Sequence, residues 1–171
     1  MPEATHLADA LLGLFAHDHG WFTPFTRAVA GLTAAQAVWE PPEGGGHSIW
    51  AIVNHLGFWH DVVLHDLHGL PLTGSGLDTA QDWPPPGAPT DEPGWEQACR
   101  RVIALNSALA GSLAALADEE LDQPVRAGGA EVWQIVQGLI GRSSFYTGEI
   151  CCIRRRQGLW PPGEHNARNG G

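Results

Sequence analysis

The residues best suited to chemistry include two histidines of one predicted helix, His55 and His60. They lie five residues apart, so they cannot chelate one ion as a pair at i and i+4 would. At about 100° per residue, His60 falls in the centre of an apolar stripe and His55 on its flank. This projection predicts that His60 is the more buried. It is then either a core imidazole satisfied by one hydrogen bond or part of a pocket.

A second polar group lies near the C-terminus, where Arg142, Tyr146 and Glu149 follow one another at i, i+4 and i+7. On a helix they form one line beside the apolar stripe. They either satisfy one another across the interior or form a small pocket that binds an anion through Arg142. The chain contains no nucleophile elbow and no glycine-rich phosphate loop.

The elements that must position these residues are helices. Apolar residues recur with helical period in four segments, at 5–31 with a bend at Pro24, 48–69, 91–116 and 131–157. The stretch 70–90 is rich in glycine and proline and predicts a long irregular crossover, which in compact domains often lines a site. The sequence predicts an all-α, four-helix up-down bundle with a long crossover between helices 2 and 3. It forms one domain over 1–171 with a flexible tail at 161–171.

Composition excludes several functions. The 171 residues carry a net charge of −10, which argues against nucleic acid or anionic lipid as a partner. All nine basic residues are arginine, which excludes Schiff-base lysine chemistry and a P-loop lysine. The three cysteines give neither a disulfide framework nor a metal-ligand spacing. With no signal peptide and no run of about 18 apolar residues, we expect a cytoplasmic protein with no membrane partner.

Two segments together resemble the DinB/YfiT-like family. They are GHSIWAIVNHLGFWHDVVLHDLHG, residues 46–69, and RSSFYTGEICCIRRRQGLWPP, residues 142–162. Weaker agreement includes the run Asp82, Trp83 and Pro84 in the crossover. The resemblance implies a four-helix bundle, often a homodimer, with one divalent ion bound by three histidines.

The resemblance also implies which residues belong to the site. One family ligand aligns with His55, which favours His55 over His60. The other two form an HxxxH pair on the last helix, where this chain has Arg142 and Tyr146, and Glu149 replaces a glutamine. Arginine cannot ligate a cation, and its charge repels one nearby.

Three functional hypotheses follow. The first is a degenerate member without the three-histidine site, which binds an anionic small molecule beside Arg142. The second is a divalent-metal-dependent thiol S-transferase of the bacillithiol or mycothiol type. Its shifted zinc or nickel site would join His55 to Tyr146, Glu149 or a histidine of the first helix. The third is a structural, dimerising bundle, with Trp50 and Trp133 marking the subunit contact.

Overall fold

The computed structural model describes residues 2–16, 22–41, 44, 46–70, 79–126 and 129–160. Regular structure in these ranges is helical, apart from one isolated antiparallel bridge between Pro124 and Glu131. The all-α fold class is therefore confirmed. Within the same ranges, no helix combines the length and the apolar character needed to cross a membrane. The predicted tail at 161–171 lies outside the described residues.

The first predicted helix is divided into shorter pieces. Two helices fall on the predicted range 5–31: α1 spans Glu3–Ala16 and α2 spans Phe25–Val29. The short helix α3, Ala34–Ala37, follows beyond that range. Pro24 is the N-cap of α2 and is extended, with φ −68° and ψ 152°. The prediction of one helix over 5–31 with a bend at Pro24 is therefore wrong. Proline lacks the N–H and its ring excludes the preceding residue from helical geometry, so here it begins a new helix.

The second long helix, α4, spans Ile49–Leu67 and begins as predicted. The hydroxyl of Ser48 accepts the backbone N–H of Ala51 at 3.2 Å and caps the first turn. Gly69 has φ +63° just beyond the last turn, the left-handed position that ends many helices. In the crossover that follows, the short helix α5 spans Thr79–Asp82.

The two remaining long helices also follow the sequence prediction. α6 spans Glu92–Ala114, and the Asp91 carboxylate accepts the N–H of Gly94 at 3.0 Å as its cap. A short 3₁₀ turn at Asp118–Glu120 leads towards α7, which spans Val132–Arg156.

The long helices α1, α4, α6 and α7 form the bundle, with α4 packed on both α6 and α7, and α1 packed on the same two. Trp50 lies against Trp95, and His68 bonds to Ser112 further along, so α4 and α6 run parallel. The described part of the connection between them, residues 79–90, crosses the face of α4 that bears His55.

The tryptophans of the third hypothesis have different surroundings. Trp50 is 4% exposed, and its ring lies beside Trp95 and beneath Gly87 of the crossover. The prediction that Trp50 marks a subunit contact is therefore wrong, because the crossover already covers it. Trp133 is 37% exposed.

Candidate functional site

His55 is buried between α4 and the crossover, and its ring is held in one tautomer. Its side chain is 1% exposed. Nδ1 lies 2.7 Å from the backbone carbonyl oxygen of Asp82 and 3.1 Å from Oδ1 of the same residue. Both oxygens are acceptors, so Nδ1 carries the hydrogen and donates it. Burial lowers the pKa of His55 despite the opposing effect of Asp82. The ring is therefore neutral near pH 7, with an unprotonated Nε2.

The electron pair of His55 Nε2 faces Arg142. Nη1 of Arg142 lies 3.2 Å from Nε2 and donates a hydrogen bond to it. The guanidinium carbon lies 4.3 Å from the centroid of the Trp59 ring, within the range of a cation–π contact. Trp59 Nε1 in turn donates to Asp82 Oδ1 at 2.5 Å. His55, Arg142, Trp59 and Asp82 thus hold one another in a closed ring of contacts.

Aromatic rings enclose this cluster. Trp83 stacks on the imidazole of His55, with centroids 3.9 Å apart and planes at 13°. His47 also stacks on Trp83, at 3.4 Å and 9°. Tyr146 presents its edge to His55 at 4.8 Å. Because these contacts cover the imidazole, Arg142 is the side chain through which a ligand can engage the site.

Tyr146 and Glu149 complete the line on α7. Burial raises the pKa of Tyr146, which outweighs the opposing effect of Arg142, so the phenol keeps its proton near pH 7. Tyr146 is therefore a neutral hydrogen-bond donor rather than an anionic ligand. Within the described part of the chain, neither Glu149 nor any other carboxylate lies within 4 Å of the Arg142 guanidinium. The half-buried cation therefore lacks a carboxylate in direct contact there.

The structure places His60 apart from this cluster. Its side chain is 0% exposed, its Nδ1 donates to the carbonyl oxygen of Leu56 at 2.7 Å, and its ring meets Phe15 edge-on. Nε2 of His60 and Oδ1 of Asn106 are both buried without a hydrogen-bond partner among the described residues. His55, Arg142 and Tyr146 come together, whereas His60 lies in the core.

Sequence reasoning gave no role to several residues of the site. Asp82 fixes the tautomer of His55, Trp83 stacks on it, Trp59 carries Arg142 and His47 extends the stack. The signal for Asp82 and Trp83 was their place in the crossover run that resembles the DinB/YfiT-like family. Helical periodicity could not place them, because their contacts with α4 come from a connection without period.

These residues do not fit the three-histidine ion that the resemblance implies. A guanidinium has no electron pair to give, and Tyr146 is held as the neutral phenol. No group of three His, Cys, Asp or Glu residues suited to an ion occurs among the residues that the structure describes. His17 and His19, two histidines of the first predicted helix, lie outside the described residues.

Comparison with known proteins identifies the family. The family model of the DinB superfamily matches residues 23–141, well over half of the chain. The match includes His55 and ends one residue before Arg142. No significant match was found among curated proteins or solved structures. With its all-helical bundle and the family match over α2 to the middle of α7, the chain belongs to the DinB superfamily.

Proposed function

We propose that this chain is a degenerate DinB-superfamily member that binds a small anionic molecule at Arg142 in place of a metal ion. The observation that carries the proposal is the hydrogen bond from Arg142 Nη1 to His55 Nε2 at 3.2 Å. In the family pattern the electron pair of that histidine faces the ion. Here a fixed positive charge faces it instead, and the imidazole accepts a hydrogen bond from the guanidinium nitrogen rather than binding a cation.

The surroundings of Arg142 favour an anion as the ligand. The guanidinium lies on Trp59 and uses Nη1 for His55, which leaves its other N–H groups for a ligand. Its planar fork matches the two oxygens of a carboxylate or phosphate. The protonated phenol of Tyr146 offers a further donor near the same place. Partial burial strengthens each of these contacts relative to water.

The metal-dependent thiol S-transferase remains the alternative, and these contacts give it less support. An ion on His55 Nε2 requires Arg142 to leave that nitrogen and abandon the Trp59 ring. It also requires Tyr146 to lose a proton that burial holds in place. A thiol such as bacillithiol or mycothiol is an expectation from the resemblance alone.

The test measures metal and anion binding on the same untagged protein. After incubation with zinc and nickel, plasma mass spectrometry should find well below one ion per chain. In NMR titrations with acetate and with phosphate, the Nε–Hε signal of Arg142, assigned through Arg142→Gln, should shift saturably. Arg100 is the control, because it is exposed and paired with Glu96. About one ion per chain, or equal shifts at both arginines, would contradict the proposal.

We also propose that the bundle dimerises through the exposed side of α7. Phe145 is 67% exposed there, and the neighbouring positions Gly138 and Gly141 have open space above them. A large apolar ring beside a flat surface suits packing against a second copy. Sedimentation should show a dimer that Phe145→Ser converts to monomer, while Phe22→Ser, at another exposed phenylalanine, leaves it intact. A wild-type monomer would refute this.

A further inference from the structure

A cavity of about 340 Å³ lies on the side of α7 away from His55. Leu14 of α1, Phe22 and the residues Thr147, Cys151 and Arg155 of α7 line it. Cys151 follows Arg142 by nine residues, which is about two and a half turns, so the two side chains point to opposite sides of the helix. The cavity and the Arg142 site therefore open on opposite sides of α7.

One positive charge dominates the chemistry of the cavity. Arg155 is the only charged residue among its described lining residues. Burial raises the pKa of Cys151, so that thiol stays neutral and does not offset the arginine. The guanidinium of Arg155 lies 5.3 Å from the Trp160 ring, which restricts its position. The result is a cationic cavity in a chain whose net charge is −10.

The rest of the lining suits an apolar body with a polar end. Leu14 and Phe22 supply aliphatic and aromatic surface, and Thr147 and Ser144 lie on the α7 side. The volume falls at the lower end of the range for small-molecule sites and accommodates about ten non-hydrogen atoms. We propose that this cavity is a second ligand site, which takes a small organic acid with its carboxylate on Arg155 and its apolar body against Leu14 and Phe22.

Cys152 provides the readout, because it is exposed and also lines the cavity. Phenylacetate is the probe, phenylacetamide its neutral isostere, and iodoacetamide the alkylating reagent. Saturating phenylacetate should slow alkylation of Cys152 at least threefold, and phenylacetamide at the same concentration should not. Cys99 reports on the reagent, because burial raises the pKa of its thiol to about 12 and it should stay unlabelled in every sample.

Two variants locate the effect. Gly148 lines the cavity, and a Cβ built there meets nothing within 4 Å, so Gly148→Leu should fill the opening without distorting α7. It should abolish the protection of Cys152 by phenylacetate, as should Arg155→Gln. Gly111→Leu is the matched control, because Gly111 is an exposed glycine of α6 with the same open space and should leave protection unchanged.

The outcome is independent of the Arg142 site. Arg142→Gln should leave the protection of Cys152 intact, even if that variant loses acetate and phosphate binding. Circular dichroism first confirms that the wild-type protein is folded. The proposal is overturned if phenylacetate then gives no protection of Cys152 from alkylation. It is equally overturned if protection survives either Gly148→Leu or Arg155→Gln, or disappears in Arg142→Gln.

Discussion

His55 has the hydrogen bonds of a metal ligand on one nitrogen and those of a structural histidine on the other. Metal-binding histidines usually donate their second ring N–H to a carbonyl or carboxylate, and His55 Nδ1 does so to Asp82. The difference lies at Nε2, where Arg142 donates a hydrogen bond. The chain thus departs from the three-histidine pattern at Arg142 and Tyr146 of α7, whereas the hydrogen bond that orients His55, from its Nδ1 to Asp82, is present.

This arrangement predicts that two substitutions restore ion binding. Arg142→His with Tyr146→His places two imidazoles at i and i+4 opposite the Nε2 of His55. The double variant should bind about one zinc ion per chain. At a free zinc concentration of 100 times Kd, the free energy of unfolding should rise by about 2.7 kcal/mol. Plasma mass spectrometry and urea denaturation with and without zinc measure both effects.

The controls separate a restored site from adventitious binding. Arg142→His alone should bind zinc more weakly, and adding His55→Ala to the double variant should abolish binding. Zinc uptake that does not depend on His55 would show that the three side chains do not converge.

At this scale the sequence predicted the participants better than their burial. The family resemblance joined His55 to Arg142 and Tyr146, which the structure brings together. Helical projection correctly made His60, which is 0% exposed, the more buried histidine, but it left His55 on a flank although that side chain is only 1% exposed. Projection considers one helix at a time, whereas His55 is covered by Trp83 of the crossover, a contact that no periodicity within α4 can reveal.

At the scale of elements, the crossover contributes as much to the site as the helices. It supplies Asp82 and Trp83, and further along Gly87 lies on the buried ring of Trp50. Asn54 of α4 secures the same segment by donating to the carbonyl oxygen of Pro85 at 2.9 Å. The position of the tautomer-fixing carbonyl therefore depends on how closely the crossover packs on α4.

We predict that Gly87→Ala destabilises the fold and disturbs the site. A Cβ at Gly87 would lie 2.5 Å from Cη2 and 2.8 Å from Cζ2 of Trp50, so the crossover has to move. The ring cannot easily yield, because it is buried against Trp95. We expect a loss of about 1–3 kcal/mol in the free energy of unfolding, the usual cost of overpacking. Urea denaturation measures the loss, and the imidazole NMR signals of His55 report the displacement.

The matched substitution is Gly111→Ala on α6, where a Cβ has open space. Alanine is the better helix former, so this variant should gain up to about 1 kcal/mol. If Gly87→Ala matched wild type in stability and left the His55 signals in place, close packing of the crossover would not position the site.

The elements themselves were largely predictable from local chemistry. The predicted starts of α4, α6 and α7 are confirmed, with Ser48, Asp91 and Glu131 as their N-caps. These starts could be predicted because a capping residue and the apolar stripe of its helix are adjacent in sequence. The prediction of one first helix was wrong at Pro24, where the apolar period continues in the sequence but the proline backbone is extended and does not continue a helix. Apolar period reports which residues face a core and does not require one continuous helix.

At the scale of the whole molecule, the bundle encloses two neutral imidazoles in an acidic protein. His55 and His60 come from α4 and are covered on different sides, His55 by the crossover and His60 by Phe15 of α1. Burial lowers the pKa of both. Their protonation is therefore linked to unfolding, since opening the bundle returns each ring to water, where its pKa is about 6.5.

The sign of this linkage predicts that acidification destabilises the protein. Above about pH 7.5 both rings are neutral in both states and contribute no pH dependence. As the pH falls through 6.5, both histidines become protonated in the unfolded chain, whereas they stay neutral in the folded protein because burial lowers their pKa. Each further pH unit then costs up to about 1.4 kcal/mol per histidine that stays neutral. Urea denaturation between pH 7.5 and 5.5 should show this loss, in a range where most carboxylates stay ionised.

His55→Gln with His60→Gln should flatten the dependence of the free energy of unfolding on pH, whereas His6→Gln, at an exposed position, should not. An unchanged slope in the double variant would mean that the buried histidines do not control acid stability.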